Sequence, residues 1–219
     1  WNFAATAYLN RWKVKIYYEH YFDDHSQMFF QYGRWKDGHI GLEITFPKNR
    51  FIDTFVYEGL GTKDQTGPML YDSFWGEFEE QISAKDNYYN HYLYQGWQHW
   101  GMGIGNPLLP GPIYNKNGQI TFISNRVLAH HIGFCGSPCQ SLSYRMLLSY
   151  SRHWGTYDNP LNEIKKQFNS LFEVTYAPQQ LKGWSFTVSG AMDRGSMLGN
   201  NYGGMLVIRK QGIIKSGNK

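Results

Sequence analysis

No stretch of this 219-residue chain runs to about 18 consecutive apolar residues, so a helical membrane span is excluded. The same absence says nothing against a wall of strands, whose side chains alternate. Charge is scarce as well. Asp, Glu, Lys and Arg make up 17% of the residues and the net charge is only +4. The basic residues are scattered among acidic ones, with no basic helix, no finger spacing and no glycine-rich phosphate loop, so no nucleic-acid partner is expected. Cysteine is nearly missing. Cys135 and Cys139 lie in FCGSPCQ, between two strand candidates, and a zinc site would need two further soft ligands. The neighbouring His130 and His131 point to opposite faces of a strand and cannot supply them together. No metal and no cofactor is expected. The Cys135–Cys139 spacing can close as a disulfide over a tight turn, which would suit an extracytoplasmic compartment; two free, partly buried thiols are the alternative. The chain has neither an initiator Met nor a signal peptide. It opens in WNFAATAYL, already a strand, and reads as a processed chain or a piece of a larger one.

What the chain has in quantity is glycine and aromatic residues: 24 Gly, 17 Tyr, 14 Phe and 8 Trp. They fall in alternating patterns. WSFTVSGAM sets Trp184, Phe186, Val188 and Met192 on one side, against Ser185, Thr187, Ser189 and Ala191 on the other. LSYRMLLSYS repeats this, with Leu142, Tyr144, Met146, Leu148 and Tyr150 opposed to Ser143, Arg145, Leu147, Ser149 and Ser151. A sheet with one aromatic, apolar face and one polar face matches the wall of an outer-membrane β-barrel, lipid outside and a wet lumen inside.

Residues 1–9, 12–22, 39–46 and 51–58 are expected to be extended, separated by turn-like DDHS and KDG. Further strands are expected near 126–134, 142–152, 171–177, 184–192 and 202–209. They are joined by CGSPCQ, the long HWGTYDNPLNEIKKQFN, the short PQQLKG and the longer DRGSMLGNN. Short turns on one rim and longer loops on the other again fit a barrel, and the HWGTYDNP side would face the cell exterior. The stretch around 59–123 is a Gly/Pro/aromatic loop region within a single domain spanning 1–219. Within it, GMGIGNPLLPGPIYNKNG reads as an ordered loop or inward fold and DSFWGEFEEQI as the best place for a short helix, capped by Asp72 or Ser73.

From Gly101 onward the chain resembles the Wzi-type capsule assembly family in its Bacteroides-like form. The resemblance rests on GIGNPLLPGPIYNKNG, NRVLAHHIGF, YRMLLSYSRHWGTYDNP, FEVTYAPQQLKGW and AMDRG followed by GNNYGGMLVIRKQG. It implies an all-β, antiparallel outer-membrane β-barrel, of which this chain would be the C-terminal part. It further implies a noncatalytic, lectin-like protein that binds or organises capsular or surface polysaccharide at the outer membrane of a Gram-negative bacterium. Outer-membrane lipid and other outer-membrane proteins would be its further partners. The alternatives are an accessory subunit of a larger outer-membrane assembly and an extracellular carbohydrate-binding β-sandwich.

Sugar recognition needs flat rings and directional hydrogen bonds, which Trp97, Trp100, Trp154, Tyr157 and Trp75 can supply from loops. A membrane wall also places such rings at its two interfaces for location alone. Arg126, Arg145 and Arg152 occupy or border polar strand faces, where they can grip an anionic polymer; a structural ion pair between Arg145 and Glu173 is the simpler role. Asp193, Asn200 and Asn201 suit sugar hydroxyls, and equally suit a turn. His130, His131 and His153 lack a serine elbow, an HExxH word or a thiol partner, and Asp72, Glu77, Glu79 and Glu80 make no recognisable glycosidase pair. No enzymatic activity is expected.

Overall fold

A computed structural model describes residues 1–21, 37–48, 51–65, 87–90, 98–99, 102–104, 107–111 and 121–212. Eleven strands are assigned among them: β1 (Asn2–Leu9), β2 (Trp12–His20), β3 (Gly38–Thr45), β4 (Thr54–Gly61), β5 (Gln98–His99), β6 (Met102–Gly103), β7 (Val127–Cys139), β8 (Leu142–Gly155), β9 (Pro160–Tyr176), β10 (Trp184–Gly195) and β11 (Asn201–Lys210). Nine of them form one antiparallel sheet in the order β1-β2-β3-β4-β7-β8-β9-β10-β11, and β5 and β6 pair separately. No helix among the described residues is long and apolar enough to cross a membrane, which has no bearing on strands.

The expected closed barrel is not what forms. The sheet begins at β1 and ends at β11, and neither outer edge has a strand paired to it among the described residues. Every residue of β1 and of β11 is exposed. The reading of the chain as a polysaccharide-binding outer-membrane barrel, whole or C-terminal part, therefore falls with the closure it required. The alternation itself holds. Cross-strand register carries Phe3, Tyr18, Ile40 and Gly59 onto one face and continues there through Ile132, Leu148, Phe134 and Met146 to Phe172, Val174, Val188 and Leu206. This apolar face is widely open, with Ile16, Phe172, Val188, Leu206 and Ile208 all at least half exposed. A sandwich would need a second large sheet over one face, and the other sheet among the described residues is the two-stranded β5–β6.

Local chemistry explains the joints. Leu9 pairs with Trp12, so β1 and β2 meet in a two-residue turn in which Asn10 takes a φ of 59°, a left-handed conformation that Asn tolerates. The turn between β7 and β8 is as tight, with Cys139 opposite Leu142 and a bulge after Gly136. Cys135 and Cys139 are both within β7 and both carry free thiols, so the expected bridge over a turn is not formed. Maleimide labelling of the folded chain without reductant should modify exposed Cys139 first and half-buried Cys135 more slowly; two unreactive sulfurs until reduction would contradict this geometry.

The longest departure from the expected layout is β9. The segment taken as a long loop after β8 is mostly strand: β8 runs to Gly155, the chain turns through residues 156–159, and β9 occupies Pro160–Tyr176. Polar LNEIKKQFN still alternates, and its register against Ser149, Ser151 and His153 puts Asn169, Gln167 and Lys165 on the polar face.

The buried core lies at one rim of the polar face. Leu60, Val127 and Ala129 come from the strands, while Tyr88, Tyr89, Leu109 and Phe122 come from the connection between β4 and β7. Leu109, from the stretch expected to be an ordered loop or inward fold, is almost fully buried; most of that stretch lies outside the described residues. The expected helix at 72–82, and Trp75, Trp97 and Trp100, lie outside the described residues.

Candidate functional site

Antiparallel register lines up polar side chains from seven strands. Glu19 of β2 lies opposite His39 of β3; Glu58 of β4 opposite His131 of β7; His131 opposite Ser149 of β8; and Ser149 opposite Asn169 of β9. Asp193 of β10 continues the row beside Asn169. Because side chains alternate along each strand, these residues share the polar face.

The row is hydrogen-bonded in segments. Tyr17 Oη donates to the Glu58 carboxylate, and His39 Nε2 stands 3.5 Å from the same group. Gly41 makes the first contact possible. It sits between Tyr17 and Glu58 in register, and a Cβ there would overlap the Tyr17 ring. Gly41→Ala should therefore displace Tyr17 and release Glu58, readable as a fall in tyrosine burial and in thermal stability; unchanged tyrosine spectra would contradict the crossing geometry. Further along, His131 Nδ1 and Ser149 Oγ are 2.7 Å apart. Ser151 Oγ lies 2.9 Å from His153 Nε2, and Asn169 Nδ2 donates to Asp193 Oδ1 at 2.7 Å.

This row floors a cleft of about 590 Å3, between the polar face and the loop residues Pro107, Leu108, Met197 and Leu198. No lysine or arginine lines it among the described residues. Glu19 holds no hydrogen bond or ion pair among the described residues. His153, 2% exposed, has no partner for Nδ1, and Asn169 has none for Oδ1. No group of three or more His, Cys, Asp or Glu among the described residues is arranged to hold a metal ion.

At the rim a second polar group is fully built. Asp37 is 1% exposed and accepts from the Asp64 amide at 2.9 Å, the Gln65 amide at 2.6 Å and Tyr88 Oη at 3.2 Å. Burial pushes its carboxyl up to about 6, the nearby Asp64 charge adds to this, and the three hydrogen bonds pull the other way. Burial likewise raises the Tyr89 phenol to about 12. An acid whose folded value lies above its unfolded one contributes its stability fully below the unfolded value and loses it as pH rises through the folded value. Between pH 4 and 7, Asp37 should thus cost the fold on the order of 3 kcal/mol as it ionises, from the rise to about 6. Unfolding titrations of wild type and Asp37→Asn measure this, and the variant should show the flatter profile. An identical slope in both would refute the assignment.

No protein-family model matches the chain, and neither the curated proteins nor the solved structures yield a match. The reading of function consequently rests on the molecule's own geometry.

That geometry gives most of the sequence candidates structural partners. Arg145 meets Glu173 at 3.3 Å, on adjacent strands and not across a lumen. The Arg145 side chain is about half exposed, so Arg145→Met should change stability by less than about 1 kcal/mol in a chemical melt. Arg126 stacks on Tyr157 at 3.9 Å and donates to the Lys63 carbonyl, and Tyr157 Oη donates to the Asp64 carbonyl. Lys63 and Arg152 both lie 5.0 Å from the Trp154 ring. Arg152 shares the parity of Tyr150 and Leu148, on the apolar side near the end of β8. Cations thus already stand over the Trp154 and Tyr157 rings. Asn200 Oδ1 accepts from the Gly195 amide and Asn201 Nδ2 donates to the Leu198 carbonyl, so both build the β10–β11 turn. Glu19, His39, Glu58, Ser149, Gln167 and Asn169 were not singled out in the sequence. Strand parity placed several of them on a polar face, but register alone brings them into one row.

Proposed function

We propose that this chain is an accessory wall subunit of a larger outer-membrane assembly. The observation that carries the reading is the two-faced sheet with two free edges. An aromatic, apolar face left open suits contact with hydrocarbon, and the polar face behind it suits water. Hydrocarbon does not tolerate unpaired strand edges, so β1 and β11 require strands of a partner subunit to pair with them. Wall formation accounts for the face and both edges together, whereas a freely soluble module accounts for neither. The resemblance to Wzi-type proteins agrees with a place at the outer membrane of a Gram-negative, Bacteroides-like bacterium.

Membrane fractionation tests this. The chain should stay with the outer-membrane fraction through an alkaline carbonate wash and leave it only with detergent, accompanied by a fixed partner. Recovery as a monodisperse monomer in detergent-free buffer would overturn the proposal.

A further inference from the structure

The geometry points to the polar cleft as a binding site for a small aliphatic ammonium compound, a diamine or polyamine, held by Glu19 and Glu58. Its two sides have different chemistry. The floor carries acceptors, two carboxylates with the hydroxyls of Ser149 and Ser151 between imidazoles, and among the described residues no lysine or arginine offsets them. The opposite side is apolar: Pro107, Leu108, Met197 and Leu198. A methylene stem lies naturally along such a strip while its ammonium groups face the carboxylates, and a charge-assisted hydrogen bond to a carboxylate is stronger than a neutral one. The volume of about 590 Å3 is in the range of small-molecule sites.

Two further observations set this apart from an acidic patch. His153 lines the cleft at 2% exposure with Nδ1 unpartnered. With Nε2–H given to Ser151 Oγ, that nitrogen is an acceptor; Asn169 Oδ1, also lining the cleft, is a second acceptor without a donor. Buried polar atoms are rarely left unpaired, and acceptors left over on the floor call for a ligand that brings donors. Moreover, Glu58 is held in place by Tyr17 and His39, whereas Glu19 holds no partner among the described residues and can accept a ligand at no cost to internal bonding. Among the described lining residues an anionic polymer would meet two carboxylates and no cation, which disfavours the acidic glycans for which the arginines were considered.

The test is calorimetric titration of the full chain, in the detergent that extracts it, with 1,5-diaminopentane, pentane-1,5-diol and glutarate. The diamine should bind and the diol and dianion should not. Glu19→Gln should weaken diamine binding roughly tenfold or more, as expected for loss of a charged hydrogen-bond partner. Since the Glu19 side chain makes no hydrogen bond or ion pair among the described residues, this variant keeps the fold, which an unchanged thermal melt verifies. Absence of diamine binding, binding of the diol or glutarate with equal affinity, or an affinity unaffected by Glu19→Gln would each overturn the proposal.

Discussion

Leu206→Arg is expected to keep the chain out of the membrane fraction, whereas Met205→Arg, one residue away, leaves it there. The two side chains leave β11 in opposite directions. Leu206 lies opposite Val188 on the apolar face and is 65% exposed, while Met205 lies opposite Ser189 on the polar face and is 55% exposed. Exposure is thus nearly equal, and only the phase each side chain meets differs. A cationic residue on the lipid side of a wall costs roughly 2 to 4 kcal/mol near mid-membrane, and a surface change on a wet face about 0.5 kcal/mol. Fractionation of the two variants after refolding into vesicles measures this directly. Equal partitioning would mean that the apolar face meets something other than hydrocarbon.

The second large effect is expected at Asn125, which is fully buried at the rim. Its Nδ2 donates to Asn87 Oδ1 at 2.6 Å and to the Tyr88 carbonyl at 2.7 Å. Its own carbonyl accepts from Thr62 Oγ1 at 2.7 Å and Gln65 Nε2 at 2.9 Å. Thr62 Oγ1 in turn accepts from the Val127 amide, where β7 begins. Through its side-chain amide and its backbone carbonyl together, Asn125 ties the β4 end, the 87–90 segment and the start of β7. Asn125→Ala removes the two side-chain bonds and strands the buried Tyr88 carbonyl and the half-buried Asn87 Oδ1, so a loss on the order of 3 kcal/mol is expected in denaturant melts. Asn200→Ala, in an exposed turn, should lose less than about 1 kcal/mol. If the two variants melt alike, the rim does not hold the connection as described.

Much of the sheet was legible because strand side chains have a period of two. Trp184, Phe186 and Val188, or Leu142, Tyr144 and Met146, declare their face without help from the rest of the chain, and β1, β2, β3, β10 and β11 fall within a few residues of expectation. Strand β9 was half missed because Pro160 and the charged Glu163, Lys165 and Lys166 look like a loop in isolation; their pairing with β8 is a tertiary fact that overrides propensity. Closure failed for a different reason. Alternation fixes which face a residue takes but carries no information about whether the first and last strands meet, and here β1 and β11 do not pair. The cleft was hidden for the same kind of reason: Glu19, Glu58 and Asn169 come from distant parts of the sequence, and only register makes them neighbours. The arginines and tryptophans that attracted attention as sugar contacts turned out, at Arg126, Arg145, Arg152, Trp154 and Tyr157, to be engaged with one another or with Lys63 and Glu173.

The most direct measurement of the central claim is photo-cross-linking from the two edges in the native membrane, with a photoreactive residue at Ala5 on β1 and, separately, at Val207 on β11. An open wall completed by other strands predicts adducts from both positions, each larger than the 25.6 kDa of this chain, and none from the same group placed at Lys13 inside the β1–β2–β3 ladder. A chain that remains at 25.6 kDa from both edges would contradict the account.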